Sequence, residues 1–267
     1  MNLAVRIRGL NLYFGENHVL RDISLDVPAG YFFAIIGPNG SGKTTLLRTM
    51  VGLQQADSGT VSIGGRLLSH YSRRELARQV AVVPQYLPVD FPFTVAETVL
   101  MGRTPHLGLA ALEKNIDFLQ AEQAMAYTDV THLARRRLNQ LSGGELQRVV
   151  IARALCQQAG IVLLDEPTAS LDPAHQIRIL DLMEQLRQEK GITVIMISHD
   201  LNLAAMYGNY ILLMKDGEVQ KEGLPGEVLT EVELQKCYGC RILVDKHPLG
   251  AGGVRLSQVP GKYLNTV

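Results

Sequence analysis

The sequence predicts an α/β protein with a mostly parallel sheet, and three observations lead to that prediction. Four short apolar runs are spaced along the chain, with helical patterns between them. Each run is continuous rather than alternating, as expected of strands buried on both faces. Each run also ends in polar residues, at the strand end where parallel sheets bind ligands. The four runs are residues 31–36, 80–83, 161–164 and 192–197.

The bulk composition is that of a globular protein with a substantial core. The chain has 267 residues, of which 46% are hydrophobic and 19% are charged. This length suits one large domain, or one domain with a subdomain. The 26 basic and 26 acidic residues cancel, so net charge gives no reason to expect a nucleic acid partner. No apolar run approaches the ~20 residues needed to cross a bilayer, and no signal peptide opens the chain, so we expect a cytoplasmic protein.

The N-terminal residues predict an antiparallel β subdomain. Residues 23–27 alternate between apolar and polar, which is typical of a half-solvated strand, and residues 15–17 form the turn before it. Phe14 stands at that turn and could stack on a nucleotide base or pack within the sheet. Tyr13 would face the opposite side of the strand, and the residues alone leave open which of the two stacks.

Residues 37–44 carry the most specific motif of the chain, the phosphate-binding P-loop. An apolar run precedes it and leucines at helical spacing follow, so it lies at the strand–loop–helix junction that it requires. We therefore predict a P-loop NTPase core that binds a nucleoside triphosphate, with Lys43 on the β- and γ-phosphates and Thr44 on Mg²⁺. As a loop residue, Lys43 is expected to be exposed. The predicted nucleotide contacts are Gly37, Pro38, Asn39, Gly40, Ser41, Gly42, Lys43, Thr44 and Thr45.

From residue 86 to about 158 helical patterns replace the strand patterns, which predicts an inserted α-helical subdomain. Three pairs of residues have the spacing of capping boxes at helix starts: Ser72 with Glu75, Thr94 with Glu97, and Ser142 with Glu145. The glycines between the last pair, Gly143 and Gly144, are not explained by a cap. An anion that approaches the helix start would explain them.

Polar residues at the ends of the other apolar runs predict a nucleotide hydrolysis site. Gln85 follows the second run, Asp165 and Glu166 end the third, and His199 ends the fourth. Asp165 would bind Mg²⁺ and Glu166 would polarise the attacking water. Gln85 would orient that water and touch the metal, and His199 would donate to the γ-phosphate. With Lys43, these residues are the predicted catalytic and metal-binding set.

Taken together, these motifs resemble those of the ATP-binding cassette ATPases over roughly residues 3–245. The resemblance implies that two copies dock head to tail around two ATP molecules. Ser142, Gly143 and Gly144 of one copy would then contact the γ-phosphate held by the other, with Asp172 nearby. It also places Phe14 at the base-stacking position, where the family more often has Tyr. The matching segments are residues 37–44 (Walker A), Gln85 (Q-loop), 141–145 (signature), 161–166 (Walker B), 170–172 (D-loop) and His199 (switch).

Residues 91–106 are similar to a narrower group, the ATPases of importers for iron–siderophore complexes, haem and vitamin B12. This resemblance implies an ATP-hydrolysing motor at the cytoplasmic face of the membrane. Its partners would be permease subunits and, indirectly, a substrate-binding protein. Two other classes stay open: an ATPase acting on nucleic acid or ribosomes, and a scaffold ATPase for iron–sulfur assembly. The first class usually has two cassettes or a long coiled-coil insertion, and neither pattern is present in the sequence.

The end of the chain predicts a cassette domain over 1–245 and a short C-terminal extension over 246–267. Cys237 and Cys240 form a C-x-x-C motif that closes a predicted helix. A zinc site would need a second ligand pair, and only His247 is near in sequence. A thioredoxin-like motif would open a helix instead of closing one. We therefore predict two free thiols, with metal or redox chemistry as the alternative.

Overall fold

The computed structural model describes residues 2–85, 92–108, 112–168, 171–246 and 254–258. Within these ranges no helix is long and apolar enough to cross a membrane. The chain order is β1 (Leu3–Phe14), β2 (Asn17–Pro28), β3 (Phe32–Ile36), α1 (Lys43–Met50), β4 (Ser58–Ile63), β5 (Arg66–Leu67), α2 (Arg73–Gln79), β6 (Val80–Val83), α3 (Val95–Leu100), α4 (Asn115–Tyr127), α5 (Gly143–Cys156), β7 (Ile161–Asp165), α6 (Pro173–Lys190), β8 (Thr193–Ile197), α7 (Leu201–Tyr207), β9 (Tyr210–Lys215), β10 (Glu218–Gly223), α8 (Pro225–Val228), α9 (Glu231–Tyr238), β11 (Ile242–Lys246) and β12 (Val254–Gln258).

The chain divides into two compact units, and the first contains residues 1–65 and 195–267. Its N-terminal strands form an antiparallel sheet in which β1 pairs with both β2 and β4. In a second sheet β3 pairs in parallel with β9, and β9 pairs antiparallel with β10. The Ser198 N–H donates to the Ile35 carbonyl (3.1 Å), which joins the end of β8 to β3. The predicted antiparallel N-terminal subdomain and the mostly parallel sheet are confirmed.

The second unit spans residues 66–194 and combines buried strands with a group of helices. β6 and β7 pair in parallel, and every residue of β7 is buried, as its continuous apolar sequence predicts. Helices α3, α4 and α5 surround a separate apolar core. Helix α5 is buried on more than one side, since four consecutive residues from Val149 to Ala152 are buried, and α3 and α4 pack against it and against each other. Residues of this core include Val95, Val99, Ala121, Ala124, Val149 and Ala152.

The capping boxes predicted at the starts of α2, α3 and α5 form. Ser72, Thr94 and Ser142 each accept a hydrogen bond from the backbone N–H three residues later. The glutamate at that position accepts the N–H of the capping residue in return. Asp172 caps α6, and Pro173 occupies the first helical position. These contacts are local, which is why residue spacing alone predicts them.

Candidate nucleotide hydrolysis site

The P-loop takes its shape from two positions where the backbone leaves no room for a side chain. Gly37 has φ 149°, and a Cβ added there would overlap the Met214 carbonyl oxygen. Gly42 has φ 94°, and its Cβ would lie 2.9 Å from Leu20 Cδ2. Only glycine adopts such angles at low cost. Both positions therefore fix the path of the loop from β3 to α1.

Helix α1 begins without a side-chain cap, unlike the capped helices α2, α3, α5 and α6. Its N-cap residue is Gly42, which has no side chain to accept a hydrogen bond from the first turn. Such a helix start presents backbone N–H groups and the positive end of the helix dipole, the arrangement that binds phosphate. Thr44 and Thr45 lie in this first turn.

Lys43 is buried, and the expectation that it is exposed is wrong. Only 5% of the residue is accessible. Its Nζ folds back over the loop and donates to the carbonyl oxygens of Gly37 (2.9 Å) and Pro38 (2.8 Å). These charge-assisted bonds hold the loop closed around its own ammonium group. The position of a residue within a loop therefore did not predict its burial.

The two aromatic residues before the first turn differ in their surroundings. The Tyr13 ring stacks on the His18 ring, with centroids 4.0 Å apart and an interplanar angle of 12°. Phe14 is 51% exposed at the end of β1. An aromatic face that already has a stacking partner is less able to receive a nucleotide base. The geometry therefore favours Phe14 over Tyr13 for that role.

His199 lies in a tight loop between β8 and α7. On its two sides, the Ser198 hydroxyl donates to the Asp200 carbonyl (3.0 Å) and accepts from the Asp200 N–H (3.1 Å). The Asp200 carboxylate caps α7 by accepting the N–H groups of Asn202 (2.8 Å) and Leu203 (3.0 Å). His199 itself is exposed. The hydrogen bonds of Ser198 and Asp200 hold the backbone on both sides of it in place.

In the second unit Glu166 and Gln85 are brought together. The Gln85 side-chain N–H donates to the Glu166 carboxylate over 2.7 Å, although the two are 81 residues apart in sequence. Glu166 has φ 51°, in the left-handed region that a glutamate rarely adopts and that recurs at functional sites. Asp165, one residue earlier, is 6% exposed at the end of β7. The end of this strand therefore presents two carboxylates in different environments.

Packing within the chain does not require the two glycines of helix α5, which carries the predicted signature segment. A Cβ added to Gly143 would contact nothing within 4 Å, and one added to Gly144 would lie at an ordinary 3.5 Å from the His175 ring. Ser142 shares its cap with Glu145, whose carboxylate accepts both the N–H (2.7 Å) and the hydroxyl of Ser142 (2.8 Å). The backbone N–H of Ser142 holds the pKa of the Glu145 carboxyl below its usual value.

The start of α6, which carries the predicted D-loop, lies beside this glycine face. The Asp172 carboxylate accepts the His175 N–H (3.0 Å) and contacts His175 Nδ1 (2.7 Å). The hydrogen bond from the His175 backbone N–H lowers the pKa of the Asp172 carboxyl. Leu171 Cδ2 would be 3.7 Å from a Cβ at Gly144. Ser170, the first residue of the predicted D-loop, lies outside the described residues.

Arg103 is a structural residue that sequence analysis missed. Its guanidinium is buried and bonds Asp117 (2.8 Å), the Cys156 carbonyl (2.9 Å) and the Gln158 side chain (2.8 Å). The bond from Arg103 keeps the pKa of Asp117 below its ordinary value. Truncating one member of such a buried pair typically costs ~3–5 kcal/mol. The network fixes residues 101–106. These residues end the segment 91–106 that is similar to the importer group, and its first residue, Phe91, lies outside the described residues.

Cys237 and Cys240 are both free thiols. Cys237 is buried in the apolar cluster of the first unit, Cys240 is exposed, and α9 ends between them at Gly239. Burial raises the pKa of the Cys237 thiol, which disfavours the thiolate that binds metals and reacts. No group of three or more His, Cys, Asp or Glu within the described ranges could hold a metal ion.

We predict that the double variant Cys237→Ala and Cys240→Ser keeps the ATPase rate and the metal content of the parent protein. Alanine at the buried position avoids placing a hydroxyl in an apolar cluster. Elemental analysis of both purified proteins checks this result. Zinc or iron bound stoichiometrically by the parent and lost from the variant would contradict it and favour the scaffold alternative.

Comparison with known proteins decides the family. The model of the ABC transporter family matches residues 20–169, more than half of the chain. The chain belongs to the ABC transporter family. It is therefore an ATP hydrolase of the kind coupled to transport, and it binds ATP.

Two characterised relatives cover most of the chain. The ferric enterobactin transport ATP-binding protein FepC of Escherichia coli (strain K12) is 39% identical over 248 residues, which is 92% of each chain. The hemin import ATP-binding protein HmuV of Thermobifida fusca (strain YX) is 42% identical over 242 residues, 90% of this chain and 84% of HmuV.

Two solved structures show the same architecture. A metal-chelate type ABC transporter in an inward-facing conformation superposes with a TM-score of 0.86 at 29% identity, covering 99% of this chain and 100% of the other. The dimeric, post-hydrolysis cassette MJ0796 bound to ADP and phosphate has a TM-score of 0.74 at 31% identity. The match covers 83% of this chain and 98% of the MJ0796 chain. The predicted P-loop NTPase core is therefore confirmed.

Proposed function

We propose that this chain is the motor subunit of an importer whose cargo is a metal chelate of the iron–siderophore, haem or cobalamin kind. The observation that carries the proposal is the similarity to FepC and HmuV along nearly the whole chain. One relative is named for ferric enterobactin and the other for hemin, and the structural neighbour of highest TM-score among those described above is a metal-chelate type transporter. Iron–siderophore complexes, haem and cobalamin are all metal ions enclosed in organic chelators.

Within this proposal, Glu166 is the general base of hydrolysis. Its carboxylate, held by the Gln85 side chain at 2.7 Å, polarises the attacking water, and Gln85 orients that water. The P-loop N–H groups and Lys43 bind the β- and γ-phosphates, and His199 donates to the γ-phosphate. Phosphoryl transfer depends mostly on positioning and charge neutralisation, which these groups supply.

The donor set also fits Mg²⁺. Thr44, Asp165 and Gln85 offer hydroxyl, carboxylate and amide oxygens, the hard ligands that Mg²⁺ prefers alongside phosphate oxygens. Bound there, Mg²⁺ would neutralise charge on the β- and γ-phosphates. Removing it with a chelator abolishes hydrolysis in this proposal.

We also propose that the working unit contains two copies docked head to tail, with Ser142, Gly143 and Gly144 of one copy against the γ-phosphate bound by the other. A Cβ at Gly143 would meet nothing within 4 Å and one at Gly144 would make only ordinary van der Waals contacts, so packing within the chain does not require either glycine, which supports this arrangement. The dimeric form of the similar cassette MJ0796 supports it too. The dimer would sit peripherally at the cytoplasmic face of the membrane, bound to permease subunits that form the substrate path.

The test is ATP hydrolysis by the complex of this chain with its co-purified membrane partner in proteoliposomes. We expect the rate to rise when the cognate binding protein is added with a ferric siderophore, haem or cobalamin, and to stay at the basal level with a sugar or an amino acid. Glu166→Gln complexes serve as the inactive control. Stimulation by a sugar or an amino acid but by none of the three metal chelates would contradict the proposed cargo class. Purification of the chain without any membrane partner would contradict the proposal that it is an importer subunit.

A further inference from the structure

The C-terminal hairpin is bound at one residue pair on both of its outer edges. β11 and β12 pair antiparallel, with Val244 opposite Leu256. The Leu256 backbone N–H donates to the Asn202 side chain (2.8 Å), and its carbonyl accepts from the Asn202 amide (3.2 Å). On the other edge the Val244 N–H donates to Glu231 (3.3 Å). Backbone groups of both residues thus point away from the hairpin, as in a non-hydrogen-bonded pair.

Asn202 links the hairpin to the loop that carries His199. Its side chain binds β12, while its own backbone N–H donates to the Asp200 carboxylate (2.8 Å). The backbone of Asp200 is in turn bonded to the Ser198 hydroxyl on the far side of His199. A continuous series of hydrogen bonds therefore runs from the hairpin to both neighbours of His199.

The apolar contacts have the same organisation. Leu256 and Ile242 of the hairpin belong to one buried cluster with Ala204 and Ala205 of α7. Helix α7 has only seven residues, too few to be stable without tertiary contacts. Its position, and so the position of the loop at its N terminus, depends on what it packs against.

We infer that Asn202 is a positioning residue for ATP hydrolysis, through which the C-terminal hairpin holds the His199 loop in place. The inference rests on the role of His199 in the proposed function. It gives a role to the predicted C-terminal extension, residues 246–267, which contains Leu256. The sequence alone indicates no role for this segment. Asn202 is exposed, so its truncation removes the two bonds to Leu256 without opening a cavity in the core.

The test is a double-mutant cycle on the full chain, reading kcat and KM for ATP together with the melting temperature. We expect Asn202→Ala to lower kcat by about tenfold with little change in KM, because a small misplacement of a catalytic group costs up to ~10²-fold in rate. In a His199→Ala background the same substitution should lower kcat no further. Asn202→Asp retains an acceptor for the Leu256 N–H, so its kcat should lie between those of the parent and Asn202→Ala.

Glu231→Ala is the matched control, because it removes the bond to the other edge of the hairpin at the same residue pair. We expect it to change the melting temperature about as much as Asn202→Ala and to leave kcat unchanged. Two outcomes would overturn this inference and leave the proposed function standing. One is an equal loss of kcat on Asn202→Ala in the parent and in the His199→Ala background. The other is a parent-like kcat for Asn202→Ala when His199→Ala itself has lost activity. Full activity of His199→Ala would show that the proposed role of His199 is wrong, and the inference would fall with it.

Discussion

Replacing Glu166 with glutamine will leave ATP binding intact and slow hydrolysis by roughly 10²–10⁴, the range lost with a general base. Glutamine keeps the size of the side chain and a hydrogen-bonding oxygen, but it cannot take a proton from water. The variant should also accumulate as an ATP-bound dimer, since closure no longer leads to hydrolysis. Single-turnover hydrolysis and size-exclusion chromatography with ATP measure the two effects.

Glu75→Gln is the control for this substitution. It makes the same chemical change in the capping box of α2, where hydrogen bonds from the Ser72 backbone and hydroxyl, with a further one from Arg66, lower the pKa of Glu75 to about 2. We expect it to hydrolyse ATP at the parent rate. Near-normal turnover by Glu166→Gln would reject Glu166 as the base.

Lys43→Ala should abolish ATP binding, and with it hydrolysis. The substitution has a second consequence, because the Lys43 Nζ also donates to the Gly37 and Pro38 carbonyls within the loop. The variant should therefore melt at a somewhat lower temperature, although it still folds. Fluorescent-nucleotide titration and thermal melting separate the two effects.

Lys221→Ala is a suitable comparison, since the Lys221 side chain makes a 3.6 Å ion pair with Glu233 in a partly exposed position, and exposed pairs contribute ~0–1 kcal/mol. Unchanged ATPase activity of Lys43→Ala would exclude the P-loop as the nucleotide site. A protein that no longer folds would show that the bonds within the loop matter more to the fold than to the ligand.

The sequence predicted those parts of the fold that depend on neighbouring residues. The continuous apolar runs predicted strands such as β3 and β7, in which every residue is buried. The start signal at Ser142 and Glu145 predicted the cap of α5, because the two residues meet within one helical turn. The order of polar residues at strand ends led to the proposed members of the site, two of which, Gln85 and Glu166, are hydrogen-bonded in the structure.

What the sequence did not predict depends on contacts between distant parts of the chain. Lys43 is buried because its side chain turns back onto its own loop, and no pattern of spacing encodes that rotamer. Arg103 and Cys156 are 53 residues apart, and Asn202 and Leu256 are 54 residues apart. A single asparagine or arginine in a helix carries no signal of such a partner, since the same residues are common on solvated surfaces.

In the proposed dimer, two copies of this chain hydrolyse ATP at sites that join the P-loop of one copy to the signature helix α5 of the other. Ser142→Arg tests it, because an arginine at the start of α5 blocks the approach of the partner's γ-phosphate while its own P-loop stays intact. Ser72→Arg is the matched control. It breaks a capping box of the same kind at the start of α2, and the loss of a cap there also costs ~1 kcal/mol of helix stability.

The decisive measurement is the ATPase rate of the Ser142→Arg protein beside its affinity for ATP. We predict that it binds ATP like the parent and does not hydrolyse it, whereas Ser72→Arg does both. Mixing Ser142→Arg with Lys43→Ala places both defects on one composite site, and any hydrolysis recovered would come from the intact one. Parent-level hydrolysis by Ser142→Arg alone would contradict the claim, because no site in that protein has a working signature helix.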